Sequence, residues 1–129
     1  MRIALDTNRY TDLARGDEAV ADLVARASFV GLPFPVLGEL RAGFALGKHG
    51  RHNDAALRRF MAQPGVEALH STEQTVRHYA RLFRQLRRQG TPVPSNDLWI
   101  AAVALEHELA LLTRDAHFER FGQLELVQL

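Results

Sequence analysis

The stretch VPSNDLWIAAVALEHELALLTRDAHF, running from Val93 to Phe118, carries a helix and then a strand. Pro92 and Pro94 favour extended or turn geometry ahead of it. Ser95 or Asn96 can cap a helix whose first turn contains Asp97. Leu98, Ile100, Ala101, Ala104 and Leu105 give that helix an apolar face. Ala110-Leu111-Leu112 then reads as a buried strand ending at Thr113-Arg114-Asp115. One carboxylate stands at the start of the helix and another just past the end of the strand. In an open parallel α/β sheet those two kinds of position share one rim, where ligands bind.

The same alternation recurs along the chain. Arg2 to Leu5 is a short apolar strand, expected at the centre of the sheet, that runs into Asp6-Thr7-Asn8. A short helix from about Thr7 to Ala14 stops at Gly16. Asp17 and Glu18 open a second helix to about Arg26, burying Val20, Leu23, Val24 and Ala27. Ser28 to Leu32 is a second strand, closed by Pro33. Pro35 suits the first turn of a helix with Val36, Leu40 and Phe44 inward and Glu39 in its opening turns. Gly47 to Gly50 interrupts it, and Arg51 to Ala62 resumes a helical pattern up to Pro64-Gly65.

Val66 to Leu69 is a third strand, and Ser71 or Thr72 caps a helix to about Gln89. The expected apolar face of that helix is Val76, Tyr79, Ala80, Phe83 and Leu86. After Asp115 come a short helix near His117 to Phe121 and a last strand, Leu124 to Val127. Strands separated by helices in this order predict one α/β domain over residues 1–129, a short parallel central sheet flanked by helices on both faces.

The bulk composition narrows the function without choosing one. The chain has 129 residues, 47% hydrophobic and 24% charged, with a formal net charge of +1. That balance excludes a massively basic nucleic-acid coat but leaves room for a locally basic groove. There is no cysteine, which removes disulfides, thiolate metal sites and cysteine nucleophiles. The longest apolar run is too short to cross a bilayer, and Asp6 interrupts the N-terminus before any signal-peptide core forms. A cytoplasmic protein with no membrane association is expected. Lys48 is the only lysine, and the other fifteen basic residues are arginine.

Asp6, Glu39, Asp97 and Asp115 stand out by position. Each has a structural explanation of its own, as a turn residue or as a complement to a helix dipole. Their convergence on one rim does not. Carboxylates about 5 Å apart repel by roughly 3 kcal/mol at an effective dielectric near 20, so such a cluster titrates upward or binds a cation. Oxygen ligands without cysteine select a hard ion, Mg²⁺ or Mn²⁺. Ions of this kind act on phosphoryl groups. Asp6, Thr7, Asn8 and Thr113 are candidates for ligands or for hydrogen bonds that orient them.

Four motifs carry a family resemblance: LDTN around Asp6, GEL at Gly38-Glu39-Leu40, NDLWIAA at Asn96 to Ala102, and LLTRDAHF at Leu111 to Phe118. In order and spacing the chain resembles PIN-domain ribonucleases, and among them the VapC toxins of toxin–antitoxin pairs. The resemblance implies a PIN-like three-layer fold and a Mg²⁺- or Mn²⁺-dependent endoribonuclease. It also implies Asp6, Glu39, Asp97 and Asp115 as the catalytic and metal-binding acids, supported by Thr113 and by Thr7 and Asn8. It implies a homodimer, an RNA substrate and silencing by a small cognate antitoxin. Arg41-Ala42-Gly43-Phe44 departs from the sequence that many relatives carry after the glutamate.

Other residues are read against plainer roles. Arg77, Arg81, Arg84 and Arg88 line one face of the 72–89 helix, either as a track for an RNA backbone or as a solvated surface. Arg114 either contacts a substrate phosphate or balances nearby negative charge. No pair of histidines has metal-ligand spacing, and His107 and His117 are expected at helix ends or on the surface. Trp99 and Tyr79 are expected to pack in the core or in a dimer contact. Two other functions fit the pattern less well. An aspartate-nucleophile phosphatase or phosphotransfer domain would want a second Asp at position 8 and a late lysine. A non-catalytic PIN-like binding module would have lost one or more of the acids.

Overall fold

The structure is a computed structural model that describes residues 1–129. Four parallel strands, β1 (Arg2–Leu5), β2 (Phe29–Pro33), β3 (Val66–Leu69) and β4 (Ala110–Leu112), form a sheet in the order β3-β2-β1-β4. Helices α1 (Thr7–Ala14) and α2 (Glu18–Arg26) join β1 to β2. Helices α3 (Phe34–Leu46) and α4 (Gly50–Met61) lead to β3, and α5 (Glu73–Gln89) and α6 (Ser95–Glu106) lead to β4. A 3-10 turn, Ala116–Arg120, follows β4.

The interior strand β1 shows why helices must cover both faces of the sheet. Ile3, Ala4 and Leu5 point alternately to the two sides, yet all are fully buried. The register places Leu5 level with Leu112, so the residues after them, Asp6 and Thr113, emerge side by side. The Asp6 amide donates to the Leu112 carbonyl at 3.1 Å and extends the pairing to that point. Helix α6 passes through the core. Leu98, Ile100, Ala101, Ala102, Val103 and Ala104 are all buried, so it is apolar all round and not on one face only. No helix is long and apolar enough to cross a membrane.

Three local expectations are corrected. Helix α6 begins at Ser95 with Pro94 as its cap and no side-chain capping bond, so neither Ser95 nor Asn96 caps it. On α5 the buried stripe is Thr75, Leu82 and Leu86, with Tyr79 half-buried, whereas Val76 and Phe83 are 47% and 45% exposed. The stripe is rotated by about one residue because the polar Thr75 is inside it, giving its hydroxyl to Glu106. The final strand over Leu124 to Val127 reduces to a single parallel bridge between Leu111 and Leu126. A three-residue β4 offers its outer edge only two flanking bonds there, Leu111 N–H to Glu125 and Val127 N–H to Leu111.

Helices α5 and α6 end alike. At α5 the amides of Gly90 and Thr91 donate to the carbonyls of Arg87 and Leu86, and Gly90 sits at φ +70°. At α6 the amides of Glu108 and Leu109 donate to Leu105 and Ala104 in the same pattern. There the left-handed position is held by Glu108, at φ 54°.

Candidate active site

The carboxyl ends of β1 and β4 and the starts of α3 and α6 meet at one rim. Asp6 leaves β1 as the cap of α1, accepting the Thr7 amide at 2.8 Å. Its other oxygen accepts the Thr113 hydroxyl at 2.6 Å and the Asn8 amide at 3.4 Å, and the residue is only 6% exposed. The Thr7 hydroxyl in turn donates to Glu39 at 2.8 Å. One short segment therefore fixes an acid from β1 and an acid from α3 relative to each other.

Thr113 performs the same task on the opposite side. While donating to Asp6, its hydroxyl accepts the Asp115 amide at 3.0 Å and the Asn8 side-chain amide at 3.5 Å. A threonine hydroxyl has one donor and two acceptor positions, and all are used. Asp115 caps the 3-10 turn by accepting the His117 amide at 2.9 Å. That turn carries the His117 ring back over the rim. Its Nδ1 lies 3.1 Å from Asp97 Oδ2 and 3.3 Å from Asp115 Oδ1.

The electrostatics report crowding. Burial pushes the Asp6 carboxyl up from its ordinary value, and the charge of Asp115 adds to this against the hydrogen bonds from Thr113 and Thr7. Glu39 is raised by burial and by the charges of Asp6 and Asp97, with Thr7 and Asn96 pulling it down. Asp97 is raised by burial and by Asp115 and Asp6, with His117 opposing. Each of these acids feels at least one of the others. Keeping all of them ionised is unfavourable without a counter-charge, and that is the demand a divalent cation meets. One ligand atom from each of Asp97, Asp115 and His117 lies within 4.8 Å of the other two, so the donors fit such an ion.

All four predicted acids, with Thr7, Asn8 and Thr113, come to this rim. The arginines do not pair with these acids. Arg114 forms a two-point ion pair with Asp12, at 3.0 Å from each nitrogen, so local charge balance and not an open phosphate contact is its state here. Arg9 leans on the same carboxylate at 3.2 Å. Arg77, Arg81 and Arg84 are exposed on α5, where Arg77 approaches Glu73 at 3.5 Å and Arg81 lies 3.4 Å from His78. His107 caps the end of α6, as expected. His117 sits at the start of the 3-10 turn with its side chain 42% exposed, as expected, and its ring also joins the acids. Trp99 packs against Tyr79 with ring centroids 4.0 Å apart.

Comparison with known proteins gives a consistent neighbourhood. The PIN domain family model matches residues 3–124. Ribonuclease VapC1 of Haemophilus influenzae is 38% identical over 61 residues, 46% of either chain. The chain thus spans about half the length of this curated relative. Ribonuclease VapC4 of Mycobacterium tuberculosis is 31% identical over 97 residues, 75% of either chain. A crystal structure of VapBC-5 from Mycobacterium tuberculosis, a member of the VapBC family of toxin-antitoxin systems, superposes with a TM-score of 0.76 and 29% identity. It covers 99% of this chain and 98% of that one.

Proposed function

The chain belongs to the PIN domain family, and from that premise we propose that it is a divalent-metal-dependent endoribonuclease of the VapC toxin kind. The observation that carries the proposal is the convergence of Asp6, Glu39, Asp97 and Asp115, with the first three pushed up from their ordinary values by burial and by one another. Those four acids would hold Mg²⁺ or Mn²⁺. Such an ion, when bound, lowers the pKa of a coordinated water and neutralises charge on a phosphate.

The chain's own residues do the positioning. Thr7 and Thr113 lock Asp6, Glu39 and Asp115 so that the acids need little rearrangement when substrate arrives. Asn8 ties the two sides together, donating to Asp6 and accepting the Arg114 amide at 3.1 Å. The reaction is hydrolysis of an RNA phosphodiester. Water oxygen bonds to phosphorus and the bond from phosphorus to the 3′ oxygen breaks, leaving 5′-phosphate and 3′-hydroxyl ends. Arg77, Arg81 and Arg84, exposed on α5, would follow the RNA backbone.

The partners follow from the same reading. The active form is a homodimer, supported by the exposed Val76 and Phe83 on α5. A small cognate antitoxin, as the VapBC name of the structural neighbour suggests, would silence it. A toxin of this kind would act in the cytoplasm, where its RNA substrates are.

The test compares wild type with Asp6→Asn and Asp97→Asn on a mixed RNA substrate with Mn²⁺, using antitoxin-free protein. Loss of cleavage by at least about a hundredfold in both variants is expected if the acids hold the reacting centre. Cleavage at wild-type rates by either variant would remove the site from the reaction. A wild-type protein that cuts no RNA would favour a non-catalytic binding module.

A further inference from the structure

The proposed metal site contains a nitrogen donor that the acidic motifs do not announce. We propose that His117 is itself a metal ligand, adding an imidazole nitrogen to Asp97 and Asp115 and shifting the site from Mg²⁺ toward Mn²⁺ and later first-row ions. This rests on the reading of the rim as a metal site, and goes beyond it by assigning a residue and a selectivity.

The geometry is that of a coordination edge. In an octahedral site with bonds of about 2.1 Å, neighbouring ligand atoms stand about 3 Å apart. His117 Nδ1 lies 3.1 Å from Asp97 Oδ2 and 3.3 Å from Asp115 Oδ1, so the spacing is already that of adjacent ligands. The position is imposed by the backbone. Asp115 caps the 3-10 turn through the His117 amide, and Phe118 beside it is fully buried and anchors the turn in the core. The ring is 42% exposed at the side chain, which leaves it room to turn slightly toward an ion. Ligation through Nδ1 places the remaining proton on Nε2.

Chemistry then sets the preference. Carboxylates alone suit Mg²⁺, Ca²⁺ and Mn²⁺ with little discrimination, whereas imidazole favours transition ions in the rising order from Mn²⁺ to Cu²⁺. Mg²⁺ keeps several of its waters and gains little from a nitrogen ligand. His117 is the one histidine that pairs with either aspartate.

The experiment loads full-length wild type and His117→Gln with Mn²⁺ and records pulsed electron spin echo envelope modulation, alongside calorimetric titrations with Mn²⁺ and with Mg²⁺. Nitrogen modulation of the Mn²⁺ signal is expected in wild type and absent in the variant. Mn²⁺ affinity should fall about tenfold or more, while Mg²⁺ affinity changes much less. Mn²⁺-loaded wild type without nitrogen modulation overturns the proposal, as does modulation that persists in His117→Gln. In both cases the site still binds metal, so the reading of the rim survives. Wild type that binds neither ion overturns the site reading and this proposal together. If His117→Gln does not fold, ¹⁵N-histidine spectra of wild type decide. Substoichiometric Mn²⁺ should broaden the ring of His117 first, and preferential broadening of another ring contradicts the assignment.

Discussion

At the scale of single residues, Thr113 is the most constrained polar group on the rim. Thr113→Val keeps the shape but leaves the Asp6 oxygen only its long bond from Asn8, and it strands the Asp115 amide. Urea unfolding should show a loss of about 1–3 kcal/mol, the cost of leaving a buried polar group unpaired. The acids make a second prediction. Asp6 and Asp97 are raised from 3.8, and Glu39 from 4.5. Between the ordinary and the raised values the folded chain binds more protons than the unfolded one, so stability falls as pH rises through that window. Asp54, held low first by Arg41, acts in the opposite sense. So does Glu106, where burial raises the carboxyl but bonds from Thr72 and Thr75 bring it below its ordinary value. Their contributions are present above 3.8 and 4.5 and are lost as pH falls through the lower folded values. Thermal melts in EDTA should therefore show a melting temperature that declines above about pH 4, with a smaller decline in Asp97→Asn. A melting temperature that climbs steadily from pH 4 to 7 in EDTA would contradict this. Asp6, Asp97 and Asp115 are visible in the sequence because each follows a strand end or opens a helix, and Glu39 because it lies in the second turn of α3. His117 was not, because it meets Asp97 only through a turn that returns the ring across 20 residues of chain. Arg114 could not be decided without Asp12, 102 residues away.

At the scale of elements, the two like-built helix ends make a controlled comparison. Gly90 occupies the left-handed position after α5 without strain, whereas Glu108 holds the same position after α6 at φ 54°. Glu108→Gly is expected to raise stability by up to about 1 kcal/mol, and Gly90→Ala to lower it by about the same, both read by urea unfolding. No gain from the glycine at 108 would mean that its side chain makes up for the backbone cost. The joint between α5 and α6 depends on Glu106, which accepts the hydroxyls of Thr72 and Thr75. Glu106→Ala leaves the buried Thr75 hydroxyl only a long contact with the Thr72 hydroxyl at 3.4 Å and should cost about 1–3 kcal/mol, whereas Glu106→Gln should recover much of that. The same contact explains which part of α5 was misread. A count of apolar residues skips Thr75, and without it the buried stripe shifts onto Val76 and Phe83. Leu98, Ile100, Ala101 and Ala104 of the apolar face expected on α6 are buried, and burial extends beyond them to Ala102 and Val103. One-sided periodicity describes a surface helix, and α6 is covered on all sides. The strand positions were legible almost to the residue, since short apolar runs between turn signals leave little choice. The last strand was not, because its apolar alternation exceeds what a three-residue neighbour can pair with.

At the scale of the whole molecule, the near-neutral charge of +1 conceals a separation of acids on the sheet rim from arginines along α5. Rim acids alone would repel RNA, so under the proposed function a bound cation and the α5 arginines together would give the polyanion a way in. The apolar residues left open on α5 locate the proposed dimer contact. Sedimentation should find a dimer for wild type and a shift toward monomer for Phe83→Glu, and an unshifted dimer would place the contact elsewhere. The central claim is that water, not a ribose hydroxyl, attacks phosphorus at an acid-held metal site. It is tested most directly by mapping the ends of the RNA fragments produced with Mn²⁺ and with EDTA. With Mn²⁺ the fragments should carry 5′-phosphate and 3′-hydroxyl ends, and with EDTA there should be no cleavage. Fragments ending in 2′,3′-cyclic phosphate, formed equally well with EDTA, would contradict it.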